Sequence, residues 1–123
     1  MILGIGVDIV EIARIAVTYE RHQARFLERL LTASELDYWQ QSGARTESLA
    51  GVWAAKEAVS KALGTGFSGF GLRDIVIEHD GQGKPEVRLS AGALRLAEAR
   101  GIKQLLVTIS HSSEQAIAFA LAQ

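Results

Sequence analysis

The sequence predicts a single α+β domain spanning residues 1–123, with a mainly antiparallel sheet packed on a long central helix. Three observations carry this. Apolar residues alternate near both ends of the chain, in LGIGVDIV, QLLVTIS and QAIAFALA, which is the period of a strand. Helical stretches with recognisable caps fill most of the span between. No repeat, low-complexity tract or linker divides the 123 residues, a length suited to one core.

Residues 2–9 read as a buried strand with Leu3, Ile5, Val7 and Ile9 on one face and Ile2, Gly4, Gly6 and Asp8 on the other. Two glycines beside an acid leave room for something to approach the backbone closely. A helical stretch follows from Glu11 to Leu31, with a possible break near His22. Thr32-Ala33-Ser34-Glu35 fits a capping box for a short helix ending near Ser42-Gly43. The central helix runs from Thr46 to Leu63, and Gly64 is placed to end it. GTGFSGFG is a glycine-rich loop, LRDIVIEH a strand, DGQGKP a turn and EVRLS the returning strand. Ser90 is placed to cap a helix over 91–100 that Gly101 stops. The two terminal strands are joined at HSSE.

Composition excludes several function classes. A formal net charge of −1 offers no global field for nucleic acid or an anionic membrane. The absence of cysteine removes disulfides, thiolate metal sites and a cysteine nucleophile. The opening MILGIGVDIVEI lacks a basic lead-in and meets Asp8 and Glu11 early, so it reads as neither a signal peptide nor a membrane span. A cytoplasmic location is expected.

The central helix carries WAAKEAVSKALG. At 100° per residue, Lys56, Glu57, Ser60 and Lys61 fall within roughly 80° of Trp53, while Ala54, Ala55, Ala58 and Ala62 occupy the far side. The alanine side can sit close to a sheet, with the polar side facing away. One account of that stripe is a solvated face with a Glu57–Lys61 pair at i,i+4. The other needs a second acid brought to Glu57 by the fold, for which Asp8 is the candidate unless it caps the helix just after it. Two carboxylates suit magnesium when phosphates and water complete its shell, and a lysine one turn on would reach a phosphate oxygen as a point charge. Spacing alone leaves both accounts open.

GIGVDIVEI at 4–12, LTASELDYW at 31–39, LAGVWAAKEAVSKALGTG at 49–66, GKP at 83–85 and TISHS at 108–112 occur in one order. Together they resemble the holo-acyl-carrier-protein synthase family, the small bacterial type of phosphopantetheinyl transferase, over nearly the whole chain. The resemblance implies transfer of the 4′-phosphopantetheine arm of coenzyme A to a serine of apo acyl carrier protein, with release of adenosine 3′,5′-bisphosphate. It implies that Asp8 and Glu57 are the magnesium ligands and that Lys61 contacts the pyrophosphate. Either Glu57 or a water held by the metal takes the serine proton. The nucleotide end of coenzyme A is expected at Gly83, Lys84 and Pro85 and at Ser110, His111 and Ser112, with His111 by the 3′-phosphate. Gly64 and its loop either end the helix or also offer backbone donors to phosphate. One position departs from the family: many members have arginine where this chain has Val52, so a contact to the 3′-phosphate region is missing. Lys56, Arg45 and a neighbouring subunit are the candidates to replace it.

Arg14, Arg21 and Arg25 are spaced by seven and four, so a continuous helix would align them, with Arg29 close by. Such a stripe suits an acidic carrier protein, and the resemblance points the same way. It also implies a homotrimer with coenzyme A held at subunit interfaces, and the strongly apolar terminal strands have surface to hide. The rival readings are a coenzyme A or nucleotide-binding module without transfer activity and a structural subunit of a larger synthase. A broader transferase for polyketide or peptide carriers is the rival within the same chemistry.

Overall fold

The alternating segments at the two ends of the chain meet in one antiparallel sheet. In the computed structural model, which describes residues 1–123, strand β1 (Gly4–Glu11) pairs with β5 (Gln115–Ala122), and β5 pairs with β4 (Leu105–His111). A separate antiparallel hairpin joins β2 (Ile75–His79) to β3 (Pro85–Leu89). Helices α1 (Ile12–His22), α2 (Ala24–Leu30), α3 (Ala33–Gln41), α4 (Thr46–Ala62) and α5 (Ala91–Ala99) complete a small α+β domain. No helix is long and apolar enough to cross a membrane.

Register explains how α4 packs. Across β1, β5 and β4 the inner rungs read Gly4–Ala122–Leu105, Gly6–Ala120–Val107 and Asp8–Ala118–Ile109. A Cβ on Gly4 or Gly6 would overlap the carbonyl oxygen of Ala62 or Ala58. What approaches those glycines closely is therefore the backbone of α4 itself. Its alanine face, with Ala54, Ala55, Ala58 and Ala62 buried, closes on the strands at a distance larger side chains would forbid.

The expected burial of Leu3, Ile5, Val7 and Ile9 is corrected by the structure. These residues are 46%, 61%, 50% and 56% exposed in the single chain. They lie on the outer face with Ile117, Phe119 and Leu106, in the rungs Ile5–Leu121–Leu106, Val7–Phe119–Thr108 and Ile9–Ile117–Ser110. One sheet face can take α4, and the glycine face does.

The remaining boundaries follow local chemistry. The Glu11–Leu31 stretch breaks at Gln23, whose φ of 42° interrupts the helix between α1 and α2. Thr32 and Glu35 form the capping box of α3. Gly64, at φ 95°, ends α4. Ser90 makes no side-chain cap on α5; its hydroxyl reaches back to the Asp74 carbonyl at 3.5 Å. Part of LRDIVIEH forms a 3₁₀ turn, Leu72–Asp74, before the strand begins.

Candidate active site

Asp8 reaches α4 because it shares the inner face of β1 with Gly4 and Gly6. The same close approach that needs the glycines brings its carboxylate beside the helix. Lys61 Nζ donates to the Val7 carbonyl at 2.9 Å and to Asp8 Oδ1 at 3.3 Å. Lys61 thus turns to the strand, not to Glu57 as a solvated i,i+4 pair would require. Glu57 is half-buried, and Asp8 and Glu57 line one cleft of about 410 Å³ with Arg14, Thr18, Phe26 and Trp53. Burial, then the charge of Asp8, pushes the Glu57 carboxyl above its ordinary pKa of 4.5, and Lys61 only partly offsets this. Two carboxylates that repel within one cleft, with no histidine or cysteine among its lining residues, form a donor set suited to a hard divalent cation.

The rest of the α4 polar stripe is not solvated. Lys56 is 0% exposed and Ser60 1% exposed. Lys56 Nζ donates to Glu35 Oε1 at 2.8 Å and to the Leu30 carbonyl at 2.6 Å, and Ser60 Oγ donates to the Glu57 carbonyl at 2.7 Å. Burial pulls the Lys56 ammonium below its ordinary pKa while Glu35 works the other way. Helices α1–α3 cover this side of α4, leaving Glu57 and Lys61 accessible. Lys56 is thereby corrected as a substitute for the arginine missing at Val52.

The residues expected at the nucleotide are divided between surfaces. Gly83, Pro85 and His111 line a second cleft, of about 420 Å³, whose wall on α4 includes Gly51 and Val52. Arg45, another candidate to replace the arginine, is in this cleft, with Nη2 held 2.7 Å from Glu47 Oε2. The turn bearing Gly83 and Lys84 is organised by Asp80, whose Oδ1 accepts from the backbone N–H groups of Gln82 at 2.8 Å and Lys84 at 2.9 Å. Those bonds hold its carboxyl below the usual range. His111 and Ser110 are adjacent in β4 and so point to opposite sheet faces: Ser110 pairs in register with Ile117 on the outer face, His111 with buried Ala116. Ser112 Oγ accepts from the N–H groups of Glu114 at 3.3 Å and Gln115 at 3.2 Å, which shapes the β4–β5 turn. The Gly64 and Gly66 N–H groups are used at the end of α4, on the carbonyls of Lys61 and Ser60. Arg100 Nη1 donates to the Leu63 carbonyl at 2.9 Å and packs where a Gly64 side chain would lie. No residue lines both the Asp8–Glu57 cleft and the Gly83–His111 cleft.

Arg14, Arg21, Arg25 and Arg29 are all exposed, but the break at Gln23 puts Arg25 and Arg29 on a different helix from Arg14 and Arg21. The single continuous stripe is corrected accordingly. Arg14 borders the carboxylate cleft.

Three groups were missed in the sequence. Trp53 lines both the Asp8–Glu57 cleft and an adjoining cleft of about 520 Å³, which also touches Glu57 and is walled by Phe67, Phe70 and Arg73. Two phenylalanines inside a glycine-rich loop were the available signal. Tyr38 stacks on His79, centroids 4.2 Å apart and rings 5° from parallel, in the Gly83–His111 cleft. Burial holds the His79 imidazole below its usual pKa. The Glu35–Lys56 pair had no local signal, because its partners are separated by α3 and the start of α4.

Known proteins resemble this chain in sequence and fold over nearly its whole length. Residues 4–120 match the 4′-phosphopantetheinyl transferase superfamily. The holo-[acyl-carrier-protein] synthase of Clostridium novyi (strain NT) is 50% identical over 121 residues, covering 98% of this chain and 87% of that protein. The crystal structure of the holo-[acyl-carrier-protein] synthase from Neisseria meningitidis matches with a TM-score of 0.93 at 37% identity, covering 100% of this chain and 99% of that one. The Helicobacter pylori holo-[acyl-carrier-protein] synthase in complex with coenzyme A matches with a TM-score of 0.86 at 36% identity, over 97% of this chain and 99% of that one.

Proposed function

This chain belongs to the 4′-phosphopantetheinyl transferase superfamily, and from that premise we propose how its residues carry out a holo-acyl-carrier-protein synthase reaction. The enzyme transfers the 4′-phosphopantetheine of coenzyme A to a serine of apo acyl carrier protein. The serine oxygen bonds to the phosphorus that carries pantetheine, the bond from that phosphorus to the bridging oxygen breaks, and adenosine 3′,5′-bisphosphate leaves. One observation carries the assignment of residues. Asp8 from a strand and Glu57 from a helix face the same cleft, with Lys61 in contact with Asp8.

Asp8 and Glu57 would hold magnesium, which when bound offsets charge on the pyrophosphate. Lys61 has a half-exposed side chain and swings its ammonium from Asp8 to an oxygen of the leaving phosphate. Glu57, which faces this cleft with Asp8, is the chain's own candidate acceptor for the serine proton, and a water in the cleft is the alternative. Arg14, at the rim of this cleft, with Arg21 and Arg25 beyond it, docks the acidic carrier. Gly83, Lys84, Pro85 and His111 hold the nucleotide, with Ser110, Ser112 and the Gly64 loop completing the pocket. The reaction belongs to cytoplasmic fatty-acid synthesis.

The site is shared between copies. Within one chain the Gly83–His111 cleft and the Asp8–Glu57 cleft have no wall in common, and Ser110 lies on the apolar outer face. Assembly through that face into a homotrimer places the nucleotide cleft of one copy beside the carboxylates of the next, so one coenzyme A reaches both.

The test is mass spectrometry of apo acyl carrier protein incubated with the enzyme, coenzyme A and magnesium. The expected gain is one phosphopantetheine, about 340 Da from the group transferred, lost without metal and with Glu57→Gln. Coenzyme A binding with no mass gain on any carrier would replace this reading with a binding module.

A further inference from the structure

We infer that the buried Glu35–Lys56 pair is a positioning device that fixes the rotation of α4 and so aims Glu57 at the metal it shares with Asp8. The inference rests on the magnesium role proposed for those two carboxylates.

The pair joins four elements at one point. Lys56 on α4 donates to Leu30 at the end of α2 and to Glu35 on α3. Glu35 Oε1 also accepts from the Thr32 N–H at 2.8 Å and the Thr32 hydroxyl at 3.1 Å, and Oε2 accepts from the Ile77 N–H of β2 at 2.7 Å. No buried side-chain polar atom is left without a partner.

Stability alone is a poor reason for such a pair. An apolar pair of the same volume often serves as well or better, because taking two charges out of water offsets their attraction. Hydrogen bonds differ from apolar contacts in being directional. That property is needed on α4, whose other side meets the sheet through glycine and alanine. Small residues set how close the helix lies, but present few projections to resist turning about its axis.

Glu57 follows Lys56 and projects about 100° further round the helix. A 20° rotation of α4 would carry a carboxylate at its outer radius by roughly 2 Å. Magnesium tolerates far less, because it requires near-octahedral oxygens at about 2.0–2.1 Å. Glu35 and Ile77 also line the Gly83–His111 cleft, so the same node joins the floor of that cleft to the helix that carries Glu57.

The experiment replaces the pair in the full-length enzyme with Glu35→Gln and Lys56→Met together, leaving neither charge buried alone. Manganese replaces magnesium as the probe, titrated by electron paramagnetic resonance in the presence of coenzyme A, with thermal melts and transfer kinetics alongside. The expected result is a cooperatively folded protein whose manganese Kd rises about tenfold and whose kcat falls about a hundredfold, the cost of roughly 1 Å of misplacement. KM for the carrier stays within about twofold, since the docking arginines do not touch the pair. A folded variant with a lower Tm but the manganese Kd and kcat of the wild type would overturn the inference, because a purely structural pair predicts that outcome. If the double variant does not fold, Lys56→Met alone decides by the same titration: Glu35 keeps the Thr32 and Ile77 N–H groups as partners while its tie to α4 is gone, and an unchanged Kd again overturns the inference. Absence of manganese binding by the wild type with coenzyme A would instead remove the metal role of Asp8 and Glu57.

Discussion

The inner face of the β1–β5–β4 sheet is built largely from glycine and alanine, the outer face from isoleucine, valine, leucine and phenylalanine. Both alternate along the same strands. On the inner face, Gly4 and Gly6 let α4 press against the backbone, and Asp8 is carried to Glu57 and Lys61. On the outer face, Ile5, Val7, Ile9, Ile117 and Phe119 are between 41% and 61% exposed. Bulk therefore does not mark the side that the chain buries against itself. Small residues mark it, because a helix can approach a strand closely only where side chains are absent, and large apolar residues in a contiguous patch mark a surface for another molecule.

The largest effect should come from erasing the small-residue side. Gly6→Val would drive a branched side chain into the Ala58 carbonyl, and α4 cannot retreat without leaving the sheet. The expected loss is about 3 kcal/mol or more, read as a collapse of the urea midpoint; a midpoint within error of the wild type would show that α4 does not need this approach.

The outer side should respond through assembly. If the proposed trimer forms through this face, Phe119→Asp should keep the far-UV spectrum of the folded chain, leave only monomers in sedimentation, and reduce transfer by roughly a hundredfold as the two clefts separate. A monomer with full activity would refute the shared site.

Arg14 belongs to neither face. Arg14→Glu should raise KM for the carrier about tenfold and leave coenzyme A affinity nearly unchanged in a titration. Equal weakening of coenzyme A would remove Arg14 from the carrier surface.

The smallest effect concerns stability and pH. The Glu57 carboxyl has a folded pKa raised above 4.5 by burial and by Asp8, so the folded state binds its proton more tightly than the unfolded state. Its contribution to stability is fully present below 4.5 and is lost as pH rises through the raised value. In chelator, Glu57→Gln should therefore gain Tm relative to the wild type across that window and keep the gain at neutral pH. Parallel melting curves over the window would show that Glu57 is not held in this way.

Much of this was legible in the sequence. The strands, the capping box at Thr32 and Glu35 and the end of α4 at Gly64 follow from local rules of alternation, capping and helix termination, which act over a few residues. The carboxylates of the candidate site were legible as types, and their order with the other motifs carried the family. Local rules do not extend to Lys56, which has the same helical signature as Lys61. One is buried against Glu35 and the other half-exposed beside Asp8 because α1–α3 cover one flank of α4 and β1 the other. The straight arginine stripe failed at one residue, Gln23, whose positive φ no neighbouring residue type announces.

By itself, then, the sequence determined which segments are strands and helices, which motifs they carry and which chemistry those motifs resemble, because these depend on periodicity and residue type. Only the tertiary structure decided that the apolar side of β1 faces outward, that Lys56 locks to Glu35, and that the nucleotide and carboxylate clefts are separate in one chain. Each of those depends on which face meets which neighbour. That is a competition for close packing among segments distant in sequence, and no local pattern records its outcome.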